Sequence, residues 1–189
     1  MRVIAGSLRG RILTTPRGFD TRPTLDRVKE ALFSILGSID NLKVLDLYAG
    51  TGAFGIEALS RGAKQAVFVE KSRPALQCLR DNLSRLGLEG RSKVFAQFVE
   101  RAQRNISISA PFDLVFCDPP WTGIEGAWNF LANMQLASLL SPGGRLVLEH
   151  PAEAAVSPGR FSPLATTNVR AWGDSAVTIL DRSGAAHNA

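Results

Sequence analysis

An alternation running from residue 43 to residue 150 constrains the fold of this 189-residue chain more than any other feature. KVLDLY (43–48), AVFVE (66–70), KVFAQF (93–98), DLVFCD (113–118) and RLVLEH (145–150) are short, nearly continuous apolar runs. Runs of this kind read as strands covered on both faces. Segments with helical spacing lie between them. Residues 53–61 read as a helix closed by Gly62. Ser72 caps a second, with Pro74 in its first turn, Leu76, Leu79, Leu83 and Leu86 on one face, and Gly87 as its stop. A short helix is expected near 99–107 and a longer one over 124–140. Such repeats pack as an α/β, doubly wound, mostly parallel sheet. After a Pro-containing loop at 151–163, the stretches 165–171 and 175–181 are expected to add an antiparallel hairpin, giving seven strands.

The residues before the alternation read differently. Residues 1–15 alternate apolar and polar around a Gly and Arg turn and predict a β-hairpin. Residues 16–23 read as a loop. A helix is expected from Thr24, with Leu25, Val28, Leu32 and Leu36 at helical spacing and Gly37 at its end. The expected organisation is an extension over 1–40, an α/β domain over 41–182 and a disordered tail over 183–189, which has nothing to bury.

The first strand runs into DLYAGTGAFG, which places Gly50, Gly52 and Gly55 in the spacing G-x-G-x-x-G. Glycines at a strand-to-helix turn permit positive φ and close approach of a ligand to the backbone. Glu70 follows about 20 residues on, where a dinucleotide site would put its ribose carboxylate. That spacing alone is compatible with a nicotinamide cofactor. The acidic start at Asp46 points elsewhere. D-x-x-A-G-T-G, from Asp46 through Ala49, Gly50, Thr51 and Gly52, resembles motif I of the S-adenosylmethionine-dependent methyltransferases. A ligand with an ammonium and a sulfonium, and no phosphate, suits a carboxylate beside the loop. A side chain at Gly52 is expected to enter ligand space.

The fourth strand ends in DPPW. Asp118, Pro119, Pro120 and Trp121 should therefore emerge at the carboxyl edge of the sheet, beside the glycine loop. The run resembles the D/N-P-P-Y/F/W motif of methyltransferases that act on exocyclic amines of bases. Such an amine is a poor nucleophile because its lone pair is delocalised into the ring. Hydrogen bonds to Asp118 and to the Pro119 carbonyl would let the nitrogen pyramidalise and aim its lone pair. The prolines fix φ and hold that carbonyl in place. Trp121 offers a stacking face. A nicotinamide enzyme has no use for DPPW.

The remaining composition narrows the class. No apolar run approaches the roughly 18 residues of a membrane span, and MRVIAGSLRGR carries arginines where a signal peptide needs apolar residues. A cytoplasmic protein is expected. Cys78 and Cys117 read as small buried thiols, and His150 and His187 are far apart, so no metal is expected. His150 reads as structural, since sulfonium methyl transfer needs no strong base. The net charge is +5 and the pI about 9.8, a balance that fits a nucleic-acid partner. Arg9, Arg11 and Arg17 are the candidate phosphate contacts. Arg22 and Arg27 are candidate substrate contacts at the pocket entrance.

Nearly the whole chain resembles one family, the bacterial small-subunit ribosomal RNA guanine-N2 methyltransferases of the RsmD type. The stretches that carry the likeness are MRVIAGSLRGRIL, TRPTLDRVKEALFSIL, VLDLYAGTGAFGIEALSRGA, FDLVFCDPPW and GGRLVLEH. The resemblance implies S-adenosylmethionine as cofactor and methyl transfer to N2 of a guanine in 16S rRNA within a partly assembled small subunit. It implies cofactor contacts at Glu70, Lys71, Gln97 and Phe98 as well as the glycine loop. The family usually has Tyr where Trp121 stands, and commonly Asp-Ala where Gln97-Phe98 stand. A monomer is expected. Two other functions fit the same motifs: methylation of another base amine, such as adenine N6 in DNA, and silent RNA binding on a methyltransferase fold. A DNA enzyme usually carries a separate recognition domain, and a silent binder would show an eroded loop or a lost Asp118.

Overall fold

The computed structural model describes residues 1–16, 23–134, 136–157 and 159–183. The tail beyond 183 and the loop bearing Arg17 and Arg22 lie outside them.

Helix α1 (Pro23–Leu36) precedes the alternation. The units β1 (Lys43–Leu47), α2 (Ala53–Ser60), β2 (Gln65–Glu70), α3 (Arg73–Arg85), β3 (Ser92–Ala96), α4 (Gln103–Ser109) and β4 (Phe112–Cys117) then follow in turn. Next come α5 (Ile124–Asn133), α6 (Leu136–Leu139), β5 (Leu140–Pro151), β6 (Ala165–Trp172) and β7 (Ser175–Asp181). The seven strands form one sheet in the order β3-β2-β1-β4-β5-β7-β6. Strands β1 to β5 pair in parallel, and β7 runs antiparallel between β5 and β6. The strand order reverses between β1 and β4, so their carboxyl ends open a crevice there.

Period-two burial of the strands separates two cores. Val44, Phe68, Leu114, Phe116 and Val147 face one side, packed against Leu32 and Phe33 of α1, Ile56 and Leu59 of α2, and Leu79 and Leu83 of α3. Leu45, Val67, Val115, Cys117 and Leu148 face the other, against Ile106 of α4 and Trp128 and Leu131 of α5. Phe116 stacks on Phe54 with ring centroids 5.1 Å apart and tilts against Phe33 at 5.6 Å. His150 sits in the second core, its ring nitrogens 2.9 Å from the Pro151 carbonyl and the Thr178 hydroxyl. Both cysteines are free and buried.

Several expected elements differ in detail. The expected helix over 124–140 is two helices. The Asn133 side-chain amide donates back to the Asn129 carbonyl, and the chain turns at Met134. The expected helix near 99–107 is a 3-10 turn, Val99–Arg101, followed by α4. Strand β3 stops at Ala96, which leaves Gln97 and Phe98 in the loop beyond it.

The arm, residues 1–15, makes a single antiparallel bridge, Arg2 with Ile12, rather than a ladder of two strands. Backbone bonds from Val3 N–H to the Arg11 carbonyl and from Leu13 N–H to the Met1 carbonyl close the turn, and other polar groups of the arm turn to α2. The Ile4 and Ala5 N–H groups donate to the Glu57 carboxylate at 2.8 and 3.0 Å, and Ser60 accepts from Leu8 and donates to the Ala5 carbonyl. Glu57 is fully buried and also pairs with Lys29 of α1 and Arg61. Val3 and Leu13 of the arm share the first core with the sheet.

Candidate active site

The crevice between β1 and β4 is a cleft of about 540 Å³, in the size range of small-ligand sites. Its walls are the turns that follow β1, β2, β3 and β4, with Met1, Thr15 and Pro16 of the arm and Lys29 of α1 closing one side. Of the expected cofactor residues, Asp46, Ala49, Gly50, Thr51, Glu70, Lys71, Gln97 and Phe98 line it, and so do Asp118, Pro119, Pro120 and Trp121.

Gly52 does not line the cleft. It has φ of 86°, and a Cβ there would lie 2.5 Å from a Leu79 methyl and 3.0 Å from an Ile56 methyl. The loop needs glycine at 52 for helix packing, not for ligand space, which corrects the expectation. Gly50, at φ 56°, is the position where a side chain would meet no protein atom and would enter the cleft. Gly55 packs a Cβ-less face on Phe68, and its N–H donates to Asp46 Oδ2 at 2.9 Å.

Asp46 is therefore a buried brace beneath the loop as well as a cleft wall. Burial holds its carboxyl well above the usual range against the Gly55 hydrogen bond, and the Asp118 and Glu70 charges add to the rise. Glu70 is committed to backbone on both oxygens. Oε2 accepts from Gly50 N–H at 2.7 Å, and Oε1 accepts from Lys71 and Ser72 N–H groups at 2.8 and 2.7 Å. It welds the β2 turn to the glycine loop, and ribose hydroxyls can use only the lone pairs left over.

Beyond β3, Phe98 is half-exposed, with the Lys71 ammonium 4.7 Å and the Arg101 guanidinium 5.3 Å from its ring centre. Gln97 Nε2 is buried with no hydrogen-bond partner among the described residues. A buried amide donor without a partner is costly, so this atom fits a cleft that receives a polar ligand. Beyond β4, burial pushes the Asp118 carboxyl up to about 6. Trp121 lines the cleft and is 41% exposed, so its ring is accessible to a planar partner.

Sequence reasoning missed Tyr48, Phe54 and Lys29. Tyr48 adopts φ of 58°, a left-handed backbone rare for a bulky residue. Its hydroxyl donates to Glu100 Oε1 at 3.3 Å, and burial raises the phenol above its ordinary range. Its place inside the glycine-loop motif was the available signal. Phe54 floors the cleft from the first turn of α2, and nothing in its spacing marks it. Lys29 is buried among Glu57, Asp26 and the Arg2 carbonyl, and burial lowers its ammonium against the attraction of those carboxylates.

Arg9 and Arg11 are exposed on the turn of the arm and do not line the cleft. Arg27 is exposed and is not among the residues that wall the cleft. Val28, Lys29, Leu32 and Phe33 form the buried face of α1, which turns Arg27 to solvent. Among the described residues, no helix is long and apolar enough to cross a membrane.

The family described as Conserved hypothetical protein 95 matches residues 1–181. The Bacillus subtilis protein YlbH, named as an rRNA methyltransferase, is 36% identical over 97% of this chain and 100% of its own. The ribosomal RNA small subunit methyltransferase D of Escherichia coli K12 is 40% identical over 64% of this chain and 60% of its own. Among solved structures, the Escherichia coli methyltransferase yhhF superposes with a TM-score of 0.80 at 31% identity, covering 98% of this chain and 99% of that one. The family match takes in the arm, the glycine loop and the DPPW turn together, and the chain belongs to the family of Conserved hypothetical protein 95, the RsmD family whose motifs it resembles.

Proposed function

We propose that the protein methylates the exocyclic N2 amine of a guanine in 16S rRNA within a partly assembled small subunit, with S-adenosylmethionine as donor. The observation that carries this reading is the shared cleft. The glycine loop, Glu70, Asp118 and the partly exposed Trp121 all line it. The names of YlbH and of the small subunit methyltransferase D support an rRNA substrate.

The residues fit the donor. Gly50 leaves open space, the orphaned Gln97 amide suits a ring nitrogen of adenine, and the β2 turn presents Glu70 to a ribose. When bound, the donor supplies a methyl on a sulfonium, an electrophile with a good leaving group. The chain supplies position. Asp118 accepts a hydrogen bond from the amine, the Pro119 carbonyl accepts a second, and Trp121 stacks on the base, a contact worth about 1–3 kcal/mol in comparable sites. Orientation of this kind can contribute roughly 7–11 kcal/mol to a bimolecular step. The basic arm supplies phosphate contacts through Arg9 and Arg11, with Arg17 beside them in sequence.

The test is methylation mapping by mass spectrometry on ribosomal RNA from cells with and without the gene. One N2-methylguanine of 16S rRNA should vanish on deletion and return with the wild-type gene. An unchanged rRNA map, or loss of a methylated adenine instead, would reject the guanine assignment.

A further inference from the structure

A second carboxyl lies behind Asp118. Leu148 of β5 pairs with Cys117 of β4 in the parallel register, and Val147 pairs with Phe116. Phe116 and Val147 face the α1–α2–α3 side of the sheet. Asp118 and Glu149, two residues further along each strand, return to that face side by side. Both border a packing gap, too small for a water, among Leu32, Phe54, Phe116 and Val177. Glu149 is 4% exposed, and its Oε2 has no hydrogen-bond partner among the described residues.

Among the described residues, no cation answers this carboxyl. Helix α1 brings Leu32 to the gap, while Lys29, one turn earlier, is held by Glu57 and the Arg2 carbonyl. Helix α2 brings Phe54, β7 brings Val177, β4 brings Asp118 and the Cys117 thiol, and β1 brings the Asp46 carboxyl near Asp118. The titratable neighbours among the described residues are all acids. They do not amount to a metal site: among the described residues, no group of three or more acidic, His or Cys side chains suits an ion. An isolated buried carboxylate is costly, so a proton must be held here.

We propose that Glu149 is a positioning residue for Asp118: near neutral pH the two carboxyls share one proton, carried as a Glu149 O–H turned toward Asp118, and the Asp118 carboxylate stays free to face the amine. The inference rests on amine methylation at Asp118 and adds its proton balance. As the N–C bond forms, the S–C bond breaks with its electron pair left on sulfur, and the amine nitrogen carries one proton too many. Asp118 takes that proton. The pair then holds two, and one passes to water as the product leaves. Burial raises both carboxyls, and the Asp118 charge adds to the rise of Glu149.

The experiment titrates side-chain carboxyl carbons by NMR in the free full-length protein, beside pH profiles of single-turnover methylation of small-subunit particles. Two coupled carboxyl steps are expected in the wild type, and Asp118→Asn should move the Glu149 step down. Glu149→Gln should keep the acid limb of the rate profile and abolish the fall at alkaline pH. Glu149→Leu, which has no donor, should move the acid limb up by about one pH unit or more. Cofactor affinity should not change in either variant. Independent, ordinary titration of the two carboxyls would overturn the proposal, as would a Glu149→Gln profile identical to wild type. Lost cofactor binding in Glu149→Gln would make the residue merely structural and overturn it too. If Glu149→Leu does not fold, the Gln variant and the wild-type titration decide. If the wild type methylates no particle, the guanine reading fails, and the substrate-free titration still decides the shared proton.

Discussion

Asn82 holds Thr14 by both ends of its side-chain amide. Oδ1 accepts from the Thr14 N–H at 2.7 Å, and Nδ2 donates to the Thr14 carbonyl at 3.0 Å and to the Thr51 carbonyl at 3.2 Å. One buried side chain of α3 thus joins the arm to the glycine loop. Replacement by Ala leaves the Thr14 and Thr51 backbone groups unanswered, at about 1–3 kcal/mol. Asn82→Ala should lower the melting temperature and weaken S-adenosylmethionine binding together, read by calorimetry. Lowered stability with full cofactor affinity would show that the loop does not depend on the arm.

The two glycines of the loop should separate by phenotype. Gly52→Ala meets Leu79 and Ile56 in a left-handed backbone, itself costing roughly 1–2 kcal/mol, and should destabilise the fold. Gly50→Ala carries the same backbone cost without the clash. Its larger loss should be in cofactor affinity. Melting curves beside cofactor titrations of both variants check this.

Asp118→Ala should keep the fold and cofactor affinity and lose methyl transfer by about 10²–10³ in kcat, the size seen when one transition-state hydrogen-bonding group is removed. Trp121→Ala should also reduce turnover, while Trp121→Tyr should retain most of it because stacking survives. Single-turnover rates on small-subunit particles read all three.

The buried acids make stability depend on pH with a definite sign. Asp118 and Glu149 bind protons more tightly folded than unfolded, where carboxyls titrate near 4. Their contribution is full below that value and is lost as pH rises through the folded values, about 6 for Asp118 and about 8 for Glu149. Glu149→Gln cannot ionise there. Its melting temperature should gain on the wild type steadily as pH is raised toward 9, in parallel scans of the two proteins.

If Arg9 and Arg11 neutralise RNA phosphates, binding must weaken as salt rises. Arg9→Ala with Arg11→Ala should lower affinity for the RNA substrate and flatten its salt slope. Both side chains are exposed and off the cleft, so cofactor affinity and melting temperature should stay unchanged. An unaltered slope would remove the arm from RNA binding.

The sheet was legible because buried parallel strands must be apolar almost throughout, and the terminal hairpin showed as two adjacent apolar runs after the Pro-containing loop. The DPPW turn and glycine loop were legible as local motifs. What escaped depends on contacts distant in sequence. Glu57 looks like an ordinary helix-surface acid, yet it is fully buried because the arm, some 50 residues earlier, supplies two N–H groups. Glu149 reads as a strand end, and only the register of β4 and β5 puts it behind Asp118. Gly52 was assigned to the ligand because the loop is local, while Leu79, which fills the space, comes from the next helix.

The Glu57 anchorage has a consequence for how a target is chosen. Two arm amides, Lys29 and Arg61 converge on that one carboxylate, which ties the arm to α1 and α2 beside the cleft. If Arg9 and Arg11 grip phosphates as proposed, arm and cleft act as a calliper with a set span between tip and jaw. Such an instrument gauges how far a flipped base stands from a folded backbone and ignores the letters around it. A short strand with the right sequence but no fixed shape should therefore be a poor substrate.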